Sequence, residues 1–303
     1  MMRISPLFTG CAAALITPFL PDGRLDEQAL RKLIQRQIAA GMNALVLLGT
    51  TGEPCSLSME ERGRVIQIGL DEAKGRLPVI IGTGSNQTQT AIAYARQAHA
   101  LGAQGQLCVT PYYNKTTQQG LVQHYTAILE SCDLPMLLYS VPSRTGMRIE
   151  PETAAQLMTL PGVCGLKEAG SDMALTENIL LATGGNLPIY CGNDDMIVPL
   201  MALGAVGAIS VCANIVPAQT KAITHAMLAG CLAEAKDAQL ALLPLIRALF
   251  SQVSPIPAKS ALHMLGHIHD ALRLPLTPLT EPYRSQLRDL LASMGLLPCN
   301  PEH

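Results

Sequence analysis

Short apolar runs bounded by turn-forming residues recur along the chain, each starting 18 to 35 residues after the one before. They are CAAALITPF from Cys11, ALVLLG from Ala44, VIIGTG from Val79, GQLCVTP from Gly105, MLLYSVP from Met136, VCGLKEA from Val163, IYCGND from Ile189 and GAISVCAN from Gly207. Each has the length of a buried strand, and the spacing is that of a strand followed by a helix. The stretches between them carry the 3/4 apolar spacing of an amphipathic helix. Residues 26–40, DEQALRKLIQRQIAA, open on acidic residues and stop at Gly41, which are helix start and stop signals. Eight such units predict an α/β fold, a (β/α)8 TIM barrel. A doubly wound sheet is the alternative, but no GxGxxG follows the first run.

After the eighth run, residues 217–294 read as helix upon helix, broken at Gly230, at SPIP (254–257) and at RLPLTPLTEP (273–282). One barrel unit needs less helix than this. Residues 1–225 are therefore expected to form the catalytic barrel. Residues 226–303 are expected to form a C-terminal helical region that packs on the barrel or on a neighbouring subunit.

Composition narrows the possibilities. Hydrophobic residues make up 49% of the 303 and charged residues 15%, enough apolar material for a large core and too little charge for bulk disorder. A net charge of -2, no Trp and no Lys/Arg cluster argue against a nucleic-acid partner. No stretch reaches the roughly 18 apolar residues of a membrane span. The N-terminal run is interrupted by Thr17 and Pro18 and reads as the first strand, not a leader, so a cytoplasmic enzyme or binding protein is expected. Nine scattered cysteines without a CxxC pair are expected to be reduced thiols.

Chemistry in such a barrel gathers where the strands end, and polar residues fall there: GTTGEP (49–54), TPYYN (110–114), YSVPSRTG (139–146), KEAGSD (167–172) and GND (192–194). Among seven lysines only Lys167 ends a strand-like run; Lys259, after PIPA at a helix start, is expected to be solvated or packed. An ion pair is the plain alternative for Lys167, yet Glu168 points to the opposite face by strand alternation. Burial favours the neutral amine, and a neutral amine attacks a carbonyl, so Lys167 is the candidate Schiff-base residue. Tyr139, at similar height on the adjacent strand, is the candidate proton shuttle, with a merely hydrogen-bonded hydroxyl as its alternative. The GTTG turn offers Thr50, Thr51 and close backbone N–H groups to a small carboxylate, or is an ordinary turn. Arg144 has the guanidinium fork for a second carboxylate, or lies solvated at the surface. Of Tyr112 and Tyr113, one ring is expected in the site and one at a subunit contact. No metal is expected: His267 and His269 would point about 200° apart on a helix, and Asp194 with Asp195 reads as an acidic helix start. P-loop, GxSxG and HExxH motifs do not occur.

GTTGE, VTPYYN, LYSVPSRTG, GLKEA, GNDD with GAISVCAN, PIPAKSAL and LRLPLTPLT, in order from about Phe8 to Leu297, together resemble the dihydrodipicolinate synthase / N-acetylneuraminate lyase family of class I aldolases, and its synthase branch most closely. The resemblance implies a (β/α)8 barrel with a C-terminal helical region, assembled as a homotetramer of two tight dimers and using no cofactor. It implies condensation of pyruvate with L-aspartate 4-semialdehyde, in lysine and diaminopimelate biosynthesis. Carried over residue by residue, it makes Lys167 the imine-forming lysine, with Tyr139 relaying protons through Thr50 to the partner subunit's Tyr113. Thr51 would hold the pyruvate carboxylate and Arg144 the semialdehyde carboxylate, while Gly192 and Ile209 would line the pocket with backbone groups. N-acetylneuraminate lyase and the 2-keto-3-deoxy-sugar-acid aldolases share the lysine and tyrosine, but Arg144 in PSRTG favours the synthase branch. A catalytically dead barrel acting as a binding protein would be marked by loss of Lys167 or Tyr139, and both are present. Ser140, where the family usually has Asn, and the GSD of EAGSD depart from the pattern. In the cleft where lysine-sensitive members bind their inhibitor, Asn86 and Tyr112 remain. Met59, Arg62 and Thr90 replace polar groups and a glutamate there, implying weak or absent lysine inhibition.

Overall fold

The eight apolar runs form eight parallel strands that close on one another in sequence order: β1 Gly10–Ala14, β2 Ala44–Leu47, β3 Val79–Gly82, β4 Gly105–Val109, β5 Met136–Ser140, β6 Val163–Glu168, β7 Ile189–Cys191 and β8 Gly207–Ser210. The structure, a computed structural model, describes residues 3–297. The predicted (β/α)8 barrel is the observed fold. Closure depends on two glycines: Gly10 and Gly207 are partners across the β8–β1 seam, and a Cβ on Gly207 would lie 2.0 Å from the Gly10 carbonyl oxygen.

Helices alternate with the strands. They are α1 Glu27–Ala39, α2 Met59–Ala73, α3 Thr88–Leu101, α4 Gln118–Leu129, α5 Pro142–Thr145, α6 Pro151–Leu157, α7 Met173–Ala182 and α8 Ile197–Ala202. The start read for α1 is confirmed by Asp26, whose carboxylate accepts the Ala29 N–H at 2.9 Å. A full capping box between Ser58 and Glu61 starts α2. The strands are shorter than the runs that predict them. β1 stops at Ala14 because Thr17 turns away to donate its hydroxyl to the Gly52 carbonyl, and Pro18 has no N–H for the ladder.

Two apolar layers result from strand alternation. Ala12, Ala14, Ala44, Val46, Ile80, Leu107, Leu137, Tyr139, Tyr190 and Ile209 belong to the interior cluster, while a larger cluster joins the outer strand faces to the helices. Beyond β8 come α9 Pro217–Leu228, α10 Leu232–Leu249, α11 Ile256–Met264 and α12 Tyr283–Ser293, with the predicted breaks at Gly230 and over 273–282, whereas of SPIP only Ser254 and Pro255 lie outside helix and Ile256 and Pro257 start α11. α10 packs against α8, α9, α11 and α12, so the added helices form one layer on the barrel. Among the described residues no helix is long and apolar enough to cross a membrane. The eight described cysteines are free, five of them buried; Cys299 lies outside the described residues.

Candidate active site

Tyr139 and Lys167 are direct partners in the β5–β6 register. Lys167 is buried, and its Nζ lies 4.4 Å from the centre of the Tyr139 ring. The next pair, Ser140 and Glu168, belongs to the opposite face by alternation. Glu168 therefore does not neutralise the lysine; its Oε1 accepts the Gly170 N–H at 2.6 Å, and burial pushes its carboxyl up. Among the described residues Lys167 forms no ion pair. Ser140 Oγ and Glu168 Oε2 are buried without hydrogen-bond partners among the described residues.

Gly192 follows β7 and donates its N–H to the Glu168 carbonyl at 2.7 Å. A Cβ there would lie 2.9 Å from Lys167 Cε and 2.6 Å from Ala169 Cβ, so a glycine leaves the lysine its path. Ile209, on β8, is fully buried in the same interior cluster as Tyr139. Asp194 is not a simple helix start. Its buried Oδ2 accepts the N–H groups of Val211 and Cys212 at 3.0 and 2.8 Å; burial pushes the carboxyl up while hydrogen bonds and the Lys167 charge pull it back. Among the described residues no three side chains of metal-ligating type gather into a group.

After β2 the chain makes two short 3-10 turns, Thr50–Gly52 and Pro54–Ser56, joined by Glu53 in the left-handed region at φ 52°. Thr51 is buried, whereas Thr50 is half-buried and faces a cavity of about 370 Å³. That cavity brings Thr50, Tyr139 and Arg144 together with Tyr112, Val253–Pro255 and residues 273–276. Thr51, Lys167, Gly192 and Ile209 are not part of its lining, and Lys167 approaches it through the Tyr139 ring. Arg144 is exposed yet held: its Nη2 donates to the Ser254 carbonyl at 2.9 Å. Tyr113 is not part of the lining of this cavity. It is 91% exposed and sits at φ 69°, an uncommon conformation for a tyrosine.

Of the two settings expected for Lys259, solvated or packed, the structure shows the packed one, with an ion pair added. The lysine is fully buried with Nζ 2.5 Å from Glu53 Oε1, and burial pushes its ammonium down while Glu53 opposes the shift. Glu53 and Arg273 are site residues that the sequence reading did not single out. The available signal was a lysine directly after an apolar PIPA run, the same kind of anomaly that marked Lys167.

A closed (β/α)8 barrel with a buried lysine beside a tyrosine at neighbouring strand ends, under a cavity edged by a hydroxyl and a guanidinium, is a barrel-enzyme architecture. The chain belongs to the dihydrodipicolinate synthetase family, whose model matches residues 7–294. The 4-hydroxy-tetrahydrodipicolinate synthase of Alkaliphilus oremlandii is 44% identical over 291 residues, 96% of this chain and 100% of that protein. That of Nitratidesulfovibrio vulgaris is 45% identical over 291 residues, 96% of this chain and 99% of its own length. Among solved structures, the dihydrodipicolinate synthase of Acinetobacter baumannii complexed with pyruvate superposes with a TM-score of 0.93 at 43% identity, covering 95% of this chain and 99% of that one.

Proposed function

We propose that the protein condenses pyruvate with L-aspartate 4-semialdehyde to give 4-hydroxy-tetrahydrodipicolinate, through a Schiff base on Lys167. The pairing of Tyr139 with Lys167 at the end of β5 and β6 carries this reading, and the names of the relatives support the two substrates. Residues 1–225 supply the catalytic barrel and residues 226–303 a C-terminal helical region, of which residues 253–255 and 273–276 line one wall of the cavity. The working unit is a cytoplasmic homotetramer in which the partner subunit's Tyr113 completes the proton relay. That assignment gives the exposed, left-handed Tyr113 a role it does not have in one chain.

The amine of Lys167 adds to C2 of pyruvate, and Tyr139 with Thr50 moves the protons that let water leave, giving the imine. Thr51 holds the carboxylate. The Tyr139–Thr50 relay takes a methyl proton and turns the imine into an enamine; the enamine carbon attacks the aldehyde, which restores the imine, and the aldehyde oxygen takes the proton back to become a hydroxyl. The amino group of the second substrate then closes on C2 and displaces Lys167, which regenerates the amine and releases the ring. Arg144 holds the second carboxylate as a charge-assisted pair, and Gly192 and Ile209 shape the pyruvate end. The scheme uses protein groups alone.

Borohydride reduction in the presence of pyruvate tests it. The expected result is a reduced pyruvate adduct on Lys167 by peptide mass analysis, and heterocycle formation from pyruvate and the semialdehyde but not from pyruvate and N-acetylmannosamine. A label on Lys259, or no label, overturns the mechanism.

A further inference from the structure

The two loops proposed to hold the two carboxylates are tied to one short piece of the C-terminal region. At one end, Ser254 accepts a hydrogen bond from Arg144 at 2.9 Å. At the other end, Lys259 reaches Glu53 at 2.5 Å. Between them runs the start of α11, stiffened by the Lys259 N–H bonded to the Pro255 carbonyl at 2.9 Å.

Glu53 occupies a demanding position. Its N–H closes the Thr50–Gly52 turn on the Thr50 carbonyl at 3.2 Å, and its own carbonyl accepts both the Ser56 N–H and the Ser56 hydroxyl. It does this at φ 52°, which a glutamate holds only where its surroundings over-determine it. The surroundings come from the C-terminal region. Both side chains of the Glu53–Lys259 pair are at most 2% exposed, and the Arg273 N–H reaches Glu53 Oε2 at 3.4 Å. The Phe19 ring lies under both cations, 4.2 Å from Lys259 Nζ and 4.4 Å from Arg273 Cζ. Arg273 then ties Ser56 and Gly23 through their carbonyls and Glu61 through its carboxylate. A buried ion pair is a poor source of stability compared with apolar packing of the same volume. What this one gives the site is a fixed geometry for the turn that carries Thr50 and Thr51.

We infer that Lys259 is a positioning residue that acts through Glu53 to hold the Thr50–Thr51 turn at the pyruvate end, while the same segment, 254–259, anchors Arg144 at the other end. The inference rests on the proposed function for what the two ends bind. Neither Lys259 nor Glu53 takes part in the bond changes. Their effect is on how well pyruvate is held when the imine forms.

Two variants of the full-length protein test this, Glu53→Gln and the apolar pair Glu53→Leu with Lys259→Met. Each is measured for kcat, for KM of both substrates, for the pyruvate concentration that half-saturates borohydride trapping, and for the thermal midpoint. Glu53→Gln is expected to raise KM for pyruvate and the half-trapping concentration together by about tenfold or more, with KM for the semialdehyde within about threefold. The apolar pair is expected to regain thermal stability without regaining the pyruvate KM. Variants that lose thermal stability while keeping pyruvate KM within about twofold, or an apolar pair with a wild-type pyruvate KM, overturn the positioning role. A wild-type protein that traps no pyruvate overturns the functional reading itself. Wild-type trapping with unshifted variants overturns only this inference.

Discussion

Tyr139 and Lys167 are partners across the β5–β6 ladder, with the lysine nitrogen 4.4 Å from the centre of the tyrosine ring. The ring packs in the interior cluster, so Tyr139→Phe keeps the packing and removes only the hydroxyl. If that hydroxyl shuttles protons, kcat should fall by about 10²- to 10⁴-fold while the thermal midpoint stays close to wild type. Rapid-quench trapping of the pyruvate adduct should show slower imine formation. A fully active Tyr139→Phe would leave the tyrosine with a packing role alone.

Arg144 presents its guanidinium at the cavity while bonded to the Ser254 carbonyl. Removing a charge-assisted pair costs about 1.5–3 kcal/mol, roughly ten- to a hundredfold. If the two carboxylates have separate receptors, Arg144→Ala should lower kcat/KM for the semialdehyde by that factor and leave pyruvate trapping within about threefold. Equal losses in both steps would contradict the division.

Tyr113 is 91% exposed in the single chain, so any part it plays in the chemistry has to be played in a neighbour. Tyr113→Phe keeps the ring and deletes only the hydroxyl proposed for the relay. Turnover should fall by about tenfold or more, with the sedimentation coefficient unchanged. Full activity would take Tyr113 out of the relay.

The barrel was legible because its information is local: each strand and helix announces itself within a window of a dozen residues, and the order of units dictates closure. Lys167 and Tyr139 were legible for a related reason, since equal depth in adjacent runs predicts a shared height. The partner of Lys259 lies 206 positions away, and nothing near PIPAK points to GTTGEP. Asp194 was hidden in the same way, because the amides it accepts belong to the loop after β8. Local pattern therefore found the residues proposed for chemistry and missed those that hold the loops.

Glu61 and Arg273 give a pH-dependent component of stability. The Arg273 guanidinium holds the Glu61 carboxyl at about 2, against an ordinary 4.5. A depressed pKa contributes stability that is present above about 4.5 and is lost as pH falls toward about 2. The pair is partly exposed, so the contribution is about that of a good surface bridge, near 1 kcal/mol or a few degrees of thermal midpoint. The midpoint difference between wild type and Glu61→Gln should be present at neutral pH, narrow as pH falls below about 4.5 and close near pH 2. A difference unchanged down to pH 3 would assign the effect of the substitution to packing.

Lysine inhibition, which the resemblance implies to be weak or absent, depends on Met59, Arg62 and Thr90. Arg62 is turned inward: it is 2% exposed, donates to the Gly82 carbonyl at 2.6 Å and stacks 3.7 Å from the centre of the Tyr94 ring. Burial pulls its guanidinium down to about 10, which still leaves it cationic at neutral pH. Thr90 bonds to the Gln87 side chain and offers a hydroxyl but no carboxylate. A cationic amino acid entering here would meet a positive charge fixed by stacking and would lack the anion needed to hold its ammonium. Each lost or reversed charge contact costs about 1–3 kcal/mol, roughly ten- to a hundredfold in affinity. Titrating L-lysine against initial rate at low pyruvate should therefore give little inhibition below about 1 mM. Half-inhibition well under that concentration would mean that Arg62 moves or that another group supplies the missing charge.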